Sequence, residues 1–167
     1  MQLLRPIVID RSSRRAQFPD PLSERAIVLR NLRSDDADDR GAAICAVVRL
    51  LNERKNVRAY LVDVIKRLGD NDEAVCLAAI DALGDIAVHS RTQSRRALFL
   101  IRRLARGSNE ALIKNAAFTV GWIAEQGVNI SFLDVWLMKL AANPDQEVAD
   151  AGKWALAKCQ IQQRFVQ

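Results

Sequence analysis

The sequence LGDNDEAVCLAAIDALGDIA, residues 68–87, joins a short acidic turn to a run of small and branched apolar residues. Asp70 and Asp72 are of the type that turns a chain and starts a helix, because an aspartate side chain accepts hydrogen bonds from free backbone N–H groups. Negative charge at a helix N-terminus is also favoured by the backbone dipole. The stretch therefore predicts a turn followed by a helix, in which Ala79 and Ala82 let a neighbouring helix approach closely.

Three further copies of this pattern occur along the chain, beginning at Leu29, Ile101 and Leu137. In every copy a leucine precedes the polar turn, at Leu32, Leu68, Leu104 and Leu140. In every copy a small residue lies in the middle of the following helix, at Ala43, Ala79, Ala116 and Gly152. Four copies at a nearly constant period indicate an internal repeat.

Each copy is predicted to be a pair of helices. The first helices of the pairs are predicted at 22–33, 55–68, 93–106 and 132–142. The second helices are predicted at 37–51, 72–88, 109–126 and 145–160. A single helical hairpin cannot bury its own apolar face, whereas stacked hairpins bury a continuous core. The sequence therefore predicts an all-α fold, an α-solenoid of about four helical hairpins.

The second copy resembles a HEAT repeat, of the short type also found in phycobilin lyase subunits. The residues that match are Leu68, Asp70, Asp72, Val75, Ala78, Ala79, Ala82, Leu83, Gly84 and Ile86. Cys76 stands where the family commonly has an arginine after the valine. The resemblance implies a right-handed α-solenoid of HEAT-like hairpins, and HEAT-like arrays mostly serve as binding surfaces.

The predicted organisation is a basic N-terminal arm or cap at 1–20, a single HEAT-repeat domain at 21–160 and a C-terminal tail at 161–167. The four units are expected at approximately 21–53, 54–90, 91–127 and 128–160. Because terminal repeats need a polar outer face or a cap, the pattern is also compatible with a homodimer through one end of the solenoid.

Composition excludes two broad classes of protein. Half of the residues are hydrophobic and 27% are charged, which argues against a disordered chain and against a membrane protein. The N-terminus lacks the uninterrupted apolar segment of a secretory signal. Cys45, Cys76 and Cys159 are odd in number and form no C-x-x-C motif. We therefore expect a cytoplasmic protein with reduced cysteines, and we interpret Cys45 and Cys76 as small buried apolar residues.

No motif predicts an enzyme. His89 is the only histidine, and it follows the end of a predicted helix without a partner signature nearby. No group of His, Cys and carboxylates has zinc spacing, and neither a P-loop nor a G-x-G-x-x-G motif is present. We therefore expect no catalytic residue, no metal and no cofactor.

The repeat predicts a row of outward-facing side chains on the second helices, which line the concave surface in HEAT-like arrays. In the second unit Asp81 and Asp85 lie one turn apart and away from the apolar stripe. Equivalent positions hold Cys45 and Arg49, Phe118 and Trp122, and Trp154 and Lys158. The predicted partner-binding residues are Arg49, Asp81, Asp85, Phe118, Trp122, Trp154 and Lys158. In the alternative interpretation Trp122 and Trp154 pack on each other or under the C-terminal tail.

A second candidate surface is basic. Residues 88–114 contain seven basic and one acidic side chain, whereas residues 61–87 contain two basic and six acidic ones. The predicted basic surface consists of Arg95, Arg96, Arg102, Arg103 and Arg106, and the N-terminal arm adds Arg5, Arg11, Arg14 and Arg15. Clustered guanidinium groups suit phosphate contacts, and Phe99 is the one aromatic residue between them. We therefore expect any nucleic-acid binding to be largely independent of sequence.

Three functions are therefore compatible with the sequence. The first is a non-enzymatic scaffold or adaptor that binds a protein partner on its concave face. The second is a sequence-independent nucleic-acid-binding module, since HEAT-like DNA glycosylases use a basic concave groove with Trp and Asp residues. The third, implied only by the resemblance, is a phycobilin-lyase-like subunit.

Overall fold

The computed structural model describes residues 21–104 and 109–165, and this part of the chain is all-helical without a strand. The predicted all-α class is confirmed. Its helices are α1 (Pro21–Asn31), α2 (Ala37–Asn52), α3 (Leu61–Arg67), α4 (Glu73–His89), α5 (Arg91–Leu104), α6 (Glu110–Glu125), α7 (Asp134–Ala141) and α8 (Gln146–Phe165). A short 3₁₀ turn, Ser131–Leu133, leads into α7. The predicted arm at 1–20 and Arg106 lie outside the described residues.

The second helix of every pair begins at a side chain that caps it. Asp36, Asp72, Asn109 and Asp145 occupy equivalent positions in the four copies. Their side chains accept hydrogen bonds of 2.8–3.1 Å from backbone N–H groups of the first helical turn. These bonds satisfy N–H groups that have no partner inside the helix. The polar turns of the repeat therefore set where α2, α4, α6 and α8 start.

The second helices contact one another in chain order, α2 with α4, α4 with α6 and α6 with α8. Each first helix packs on the second helix of its own pair, and α5 packs on α4 as well. The structure buries the small residues predicted for the middle of the second helices, namely Ala43, Ala79, Ala82, Ala116 and Gly152. Larger apolar side chains such as Leu83, Ile101 and Leu137 fill the remaining core.

Three glycines permit closer contacts than any other residue would. A Cβ added to Gly152 of α8 would lie 2.6 Å from the backbone nitrogen of Ala141, at the end of α7. A Cβ on Gly121 of α6 would meet the Trp154 ring and would lie 2.9 Å from the Cα of Ala155. A Cβ on Gly84 of α4 would lie 2.6 Å from the Thr119 methyl group and 3.7 Å from the Trp122 ring. At these points the glycine backbone itself is in contact with the neighbouring helix.

Two helix boundaries differ from the prediction. Helix α3 begins at Leu61 rather than at residue 55, because the Asn56 side chain accepts a hydrogen bond of 3.0 Å from the Arg58 N–H and holds a turn there. Val57 is nevertheless buried, as its place in the apolar pattern predicts. Helix α8 continues to Phe165, beyond the predicted start of the tail at residue 161.

Two buried carboxylates connect the first two helix pairs. Arg40 of α2 forms a bidentate pair with Asp70, with N–O distances of 2.6 and 2.9 Å, and also donates to the backbone carbonyls of Ser34 and Asp35. Arg33 forms a second bidentate pair with Asp63, at 2.9 and 3.1 Å. Both arginines precede the carboxylates by 30 residues, so these pairs fasten one repeat to the next.

These contacts shift the pKa of both carboxyl groups downward. Burial by itself raises the pKa of Asp70, but hydrogen bonds from Arg40 and from the Asp72 N–H outweigh burial and lower it. The hydrogen bonds from Arg33 lower the pKa of Asp63. Each group therefore stabilises the fold in its ionised form.

We expect Gly152→Ala to lower the free energy of unfolding by about 1–3 kcal/mol, because the new methyl group would press on the backbone of α7. The matched control is Gly41→Ala in α2, where an added Cβ would meet nothing within 4 Å. That control should gain about 0.5–1 kcal/mol from improved helix propensity. Urea unfolding of both variants provides the measurement, and a stabilised Gly152→Ala protein would contradict the close contact.

We expect acid to weaken the fold through Asp63 and Asp70. Their pKa values in the folded chain lie below the ordinary 3.8, so the unfolded chain takes up protons first as the pH falls. Their stabilisation is complete above about pH 5 and is lost as the pH falls through the folded pKa values. In Asp63→Asn one of the two groups no longer titrates, so unfolding midpoints in urea should fall less between pH 5 and pH 3. Equal falls would show that Asp63 does not contribute.

Candidate functional site

A groove of about 330 Å³ lies on the second helices α4, α6 and α8. We call it the α4–α6–α8 groove, and its lining residues are Asp81, Asp85, Asn115, Phe118, Thr119, Trp122 and Trp154. Five of the seven predicted partner-binding residues lie together in it. They meet because consecutive second helices are neighbours and because these positions lie on the same side of each helix.

One wall of the groove is acidic. Asp81 is exposed, and its Oδ1 accepts hydrogen bonds of 3.2 Å from Asn115 and Thr119. Asp85 is half-buried, and none of the described residues donates a hydrogen bond to its carboxylate. Burial raises the pKa of Asp85; the charge of Asp81 raises it further, while His89 lowers it. The groove thus contains a carboxylate with unused acceptor capacity.

The other wall is aromatic. Phe118 is 43% exposed, and its ring centroid lies 5.5 Å from that of Trp154 at a tilt of 55°. Trp154 lies over Gly121 and Trp122 lies over Gly84, so each tryptophan packs on the preceding second helix. Both indoles are half-buried. Each indole therefore contributes to helix packing and also presents surface to the groove. Neither interpretation of the sequence predicted both roles.

The two basic residues of the predicted row do not line the groove. Arg49 forms ion pairs with Glu24 and Glu53, both at 3.0 Å, on the α1–α2 side of the molecule. The Lys158 ammonium pairs with Glu125 at 2.6 Å and lies 5.4 Å from the centroid of the Trp154 ring. Lys158 thus borders the groove, whereas Arg49 is separate from it.

Two polar residues of the groove, Asn115 and Thr119, were not predicted from the sequence. They lie one helical turn apart on α6, three residues before and one residue after Phe118. A polar pair beside an outward-facing aromatic residue was the signal that could have located them. Their function in the groove is to hold Asp81 in place.

The cysteines differ from one another in exposure. Cys45 is exposed, as its place in the outward row predicts, so its interpretation as a buried residue was wrong. Cys76 is buried, and its Sγ donates to the backbone carbonyl of Asp70 at 3.2 Å. Cys159 is also buried; its desolvation, together with its hydrogen bond to Asp134, raises the pKa of the thiol to about 12.

The predicted basic surface lies on α5, a first helix. Arg96 and Arg103 are exposed, and the Arg95 guanidinium lies 5.3 Å from the centroid of the Phe132 ring. Arg102 is half-buried, and its Nε atom has no hydrogen-bond partner among the described residues. None of these arginines lines the α4–α6–α8 groove. Basic and acidic surfaces are therefore separate.

A second cavity, of about 630 Å³, was not predicted. It lies between the start of α5 and the connection from α6 to α7, where Gly127 has a φ of 87°. Its lining residues are Val88, Ser94, Arg95, Gln126, Gly127, Val128, Asn129, Ser131 and Phe132. The repeat pattern could not predict this cavity, because the sequence that connects α6 to α7 does not recur in the other units.

No protein-family model and no curated protein matches this chain. Within the described residues, no three or more His, Cys, Asp and Glu side chains come together in a way that could hold a metal ion. None of the helices in that part of the chain has the length and apolar character needed to cross a membrane. Because neither comparison finds a match, the resemblance to HEAT repeats depends on the matching residues alone.

We expect thiol reagents to distinguish Cys45 from the other two cysteines. The thiolate is the reactive form, and burial raises the pKa of both Cys76 and Cys159. Maleimide labelling of the native protein near pH 7, followed by mass spectrometry, should add one label, at Cys45. Cys45→Ser should remain unlabelled until urea unfolds the chain. Rapid native labelling of that variant would contradict the burial of Cys76 and Cys159.

Proposed function

We propose that this protein is a non-enzymatic scaffold or adaptor that binds a protein partner in the α4–α6–α8 groove. The main support is the convergence of Asp81, Asp85, Phe118, Trp122 and Trp154 in one groove. Half-exposed aromatic side chains beside polar groups are typical of the residues that contribute most to protein interfaces.

The proposed architecture is a right-handed α-solenoid of about four HEAT-like hairpins. Its supports are the contacts between consecutive second helices and the caps at Asp36, Asp72, Asn109 and Asp145. In this architecture the second helices form the concave face, and the groove crosses three of them. None of the three cysteines forms a disulfide, which fits the reducing conditions of a cytoplasm.

The size of the groove limits what can enter it. A groove of about 330 Å³ has room for one or two side chains of a partner. The partner is therefore a segment that projects side chains into the groove while the rest of its surface contacts the rims. Such an interface has a small energetic centre surrounded by weaker contacts.

A sequence-independent nucleic-acid-binding module is the second candidate function. It is favoured by the exposed Arg96 and Arg103 on α5, because clustered arginines contact phosphates. The α4–α6–α8 groove would repel phosphate through Asp81 and Asp85, so nucleic acid would bind α5 instead. A salt titration with a labelled oligonucleotide tests this candidate, and absence of binding at low salt eliminates it.

Phe118→Ala tests the proposed function. The variant removes the most exposed aromatic side chain of the groove and should fold normally, so capture of the partner by the full-length protein should fall at least tenfold, as for an interface hot spot. The matched control is Phe99→Ala on α5, whose side chain is 57% exposed and lies outside the groove.

The partner is identified as the protein that wild-type and Phe99→Ala baits both enrich, and its affinity is then measured with purified components. Loss of binding with Phe118→Ala alone supports the groove. Equal affinity of the two variants would refute it. Circular dichroism of both variants checks that they are folded.

A further inference from the structure

The described residues that line the α4–α6–α8 groove carry charge of one sign only. Asp81 and Asp85 are the charged residues among them, and they lie one helical turn apart on α4. Like charges at this spacing repel each other. A positive charge placed between the acidic and the aromatic wall would relieve that repulsion, whereas an anion would increase it.

The carboxylates of the groove have free acceptor capacity. Asn115 and Thr119 both donate to the same oxygen of Asp81, and the described residues supply no donor to its Oδ2. The Asp85 carboxylate is half-buried and receives no hydrogen bond from them. Burial raises the pKa of this group by more than the nearby His89 lowers it, so the charge of Asp85 is compensated only in part.

The basic side chains next to the groove are already engaged. Lys114 pairs with Glu147, and Lys158 pairs with Glu125. The Nδ1 atom of His89 lies 2.9 Å from the backbone carbonyl oxygen of Asp85, so this ring is held at the backbone. The described part of the chain thus supplies no lysine or arginine to the carboxylates of the groove.

Two aromatic rings of this protein already contact a cation, Trp154 at the border of the groove and Phe132 outside it. The Lys158 ammonium lies 5.4 Å from the centroid of Trp154, and the Arg95 guanidinium lies 5.3 Å from that of Phe132. Both distances are within the range of cation–π attraction. Phe118 and Trp122 line the same groove as the two carboxylates. Aromatic faces combined with carboxylates form a chemical environment selective for an organic cation.

We infer that the α4–α6–α8 groove binds a lysine or arginine side chain projecting from a segment of the partner. The charged head contacts Asp85 and Asp81, and the methylene stem lies against Phe118 and Trp122. This inference rests on the proposed function, since it specifies what part of the partner enters the groove. It also explains why the groove combines acidic and aromatic walls: an apolar side chain would leave the carboxylates uncompensated.

The test uses the full-length protein and short capped peptides of glycine and serine with one variable central residue. That residue is lysine, arginine, norleucine or glutamate, and norleucine keeps the stem of lysine without its charge. Binding is followed by NMR through the indole N–H signals of Trp122 and Trp154. Trp136 is the internal control, because it is 7% exposed and lies on α7 outside the groove.

The lysine or arginine peptide should shift the Trp122 and Trp154 signals and leave the Trp136 signal in place. The norleucine peptide should bind at least tenfold more weakly, and the glutamate peptide should not bind. Asp85→Asn should lower the affinity for the lysine peptide at least tenfold. The matched control is Asp150→Asn, which changes an exposed carboxylate on α8 and should leave that affinity unchanged. Equal binding of lysine and norleucine, or no shift with either cationic peptide, would overturn the inference.

Capture of the partner separates this inference from the proposed function. If Phe118→Ala loses the partner and Asp85→Asn retains it, the groove binds a partner through apolar contacts, and the cation inference alone fails. If both variants retain the partner, the proposed function itself fails. If both lose it and Asp150→Asn retains it, both proposals are supported.

Discussion

In the later repeats, α4, α6 and α8 pack closely at positions where a side chain is missing. Gly84 and Gly121 occupy equivalent positions in α4 and α6, and each supports a tryptophan of the next second helix. Gly152 lets α8 meet the backbone of α7. This packing makes the groove: an indole that lies on a glycine is anchored along one face and remains available along another. Fold and candidate site therefore depend on the same contacts.

The chain joins its repeats in two different ways. Between the first two helix pairs the connection is ionic, with Arg40 bound to Asp70 and to two backbone carbonyls. The positions equivalent to Arg40 hold Cys76, Ile113 and Ala149, so this connection is not repeated. From α4 onward, contacts between glycine and aromatic residues join the second helices, together with the ion pairs Lys114–Glu147 and Lys158–Glu125. The aromatic groove accordingly lies in the later repeats, while the early repeats present ion pairs at their turns.

Most helix positions and much of the candidate site could be predicted from the sequence. Equivalent capping residues start all four second helices, so equivalent positions lie on the same side of each helix. That alignment correctly grouped Asp81, Asp85, Phe118, Trp122 and Trp154. It could not show that Arg49 is bound by Glu24, since that pair connects residues 25 positions apart in sequence. The late start of α3 depends on a local hydrogen bond of Asn56 that competes with helix formation. The packing of indoles on glycines could not be predicted either, because a repeat pattern in the sequence gives no distances between helices.

The groove has a mechanical consequence, because its walls belong to three different helix pairs. Its acidic wall is on α4, whereas its aromatic wall comes from α6 and α8. Any rotation of one pair against the next changes the gap between carboxylate and indole. A ligand that contacts both walls holds this distance constant. We therefore expect the helix pairs to move less against one another when the groove is occupied.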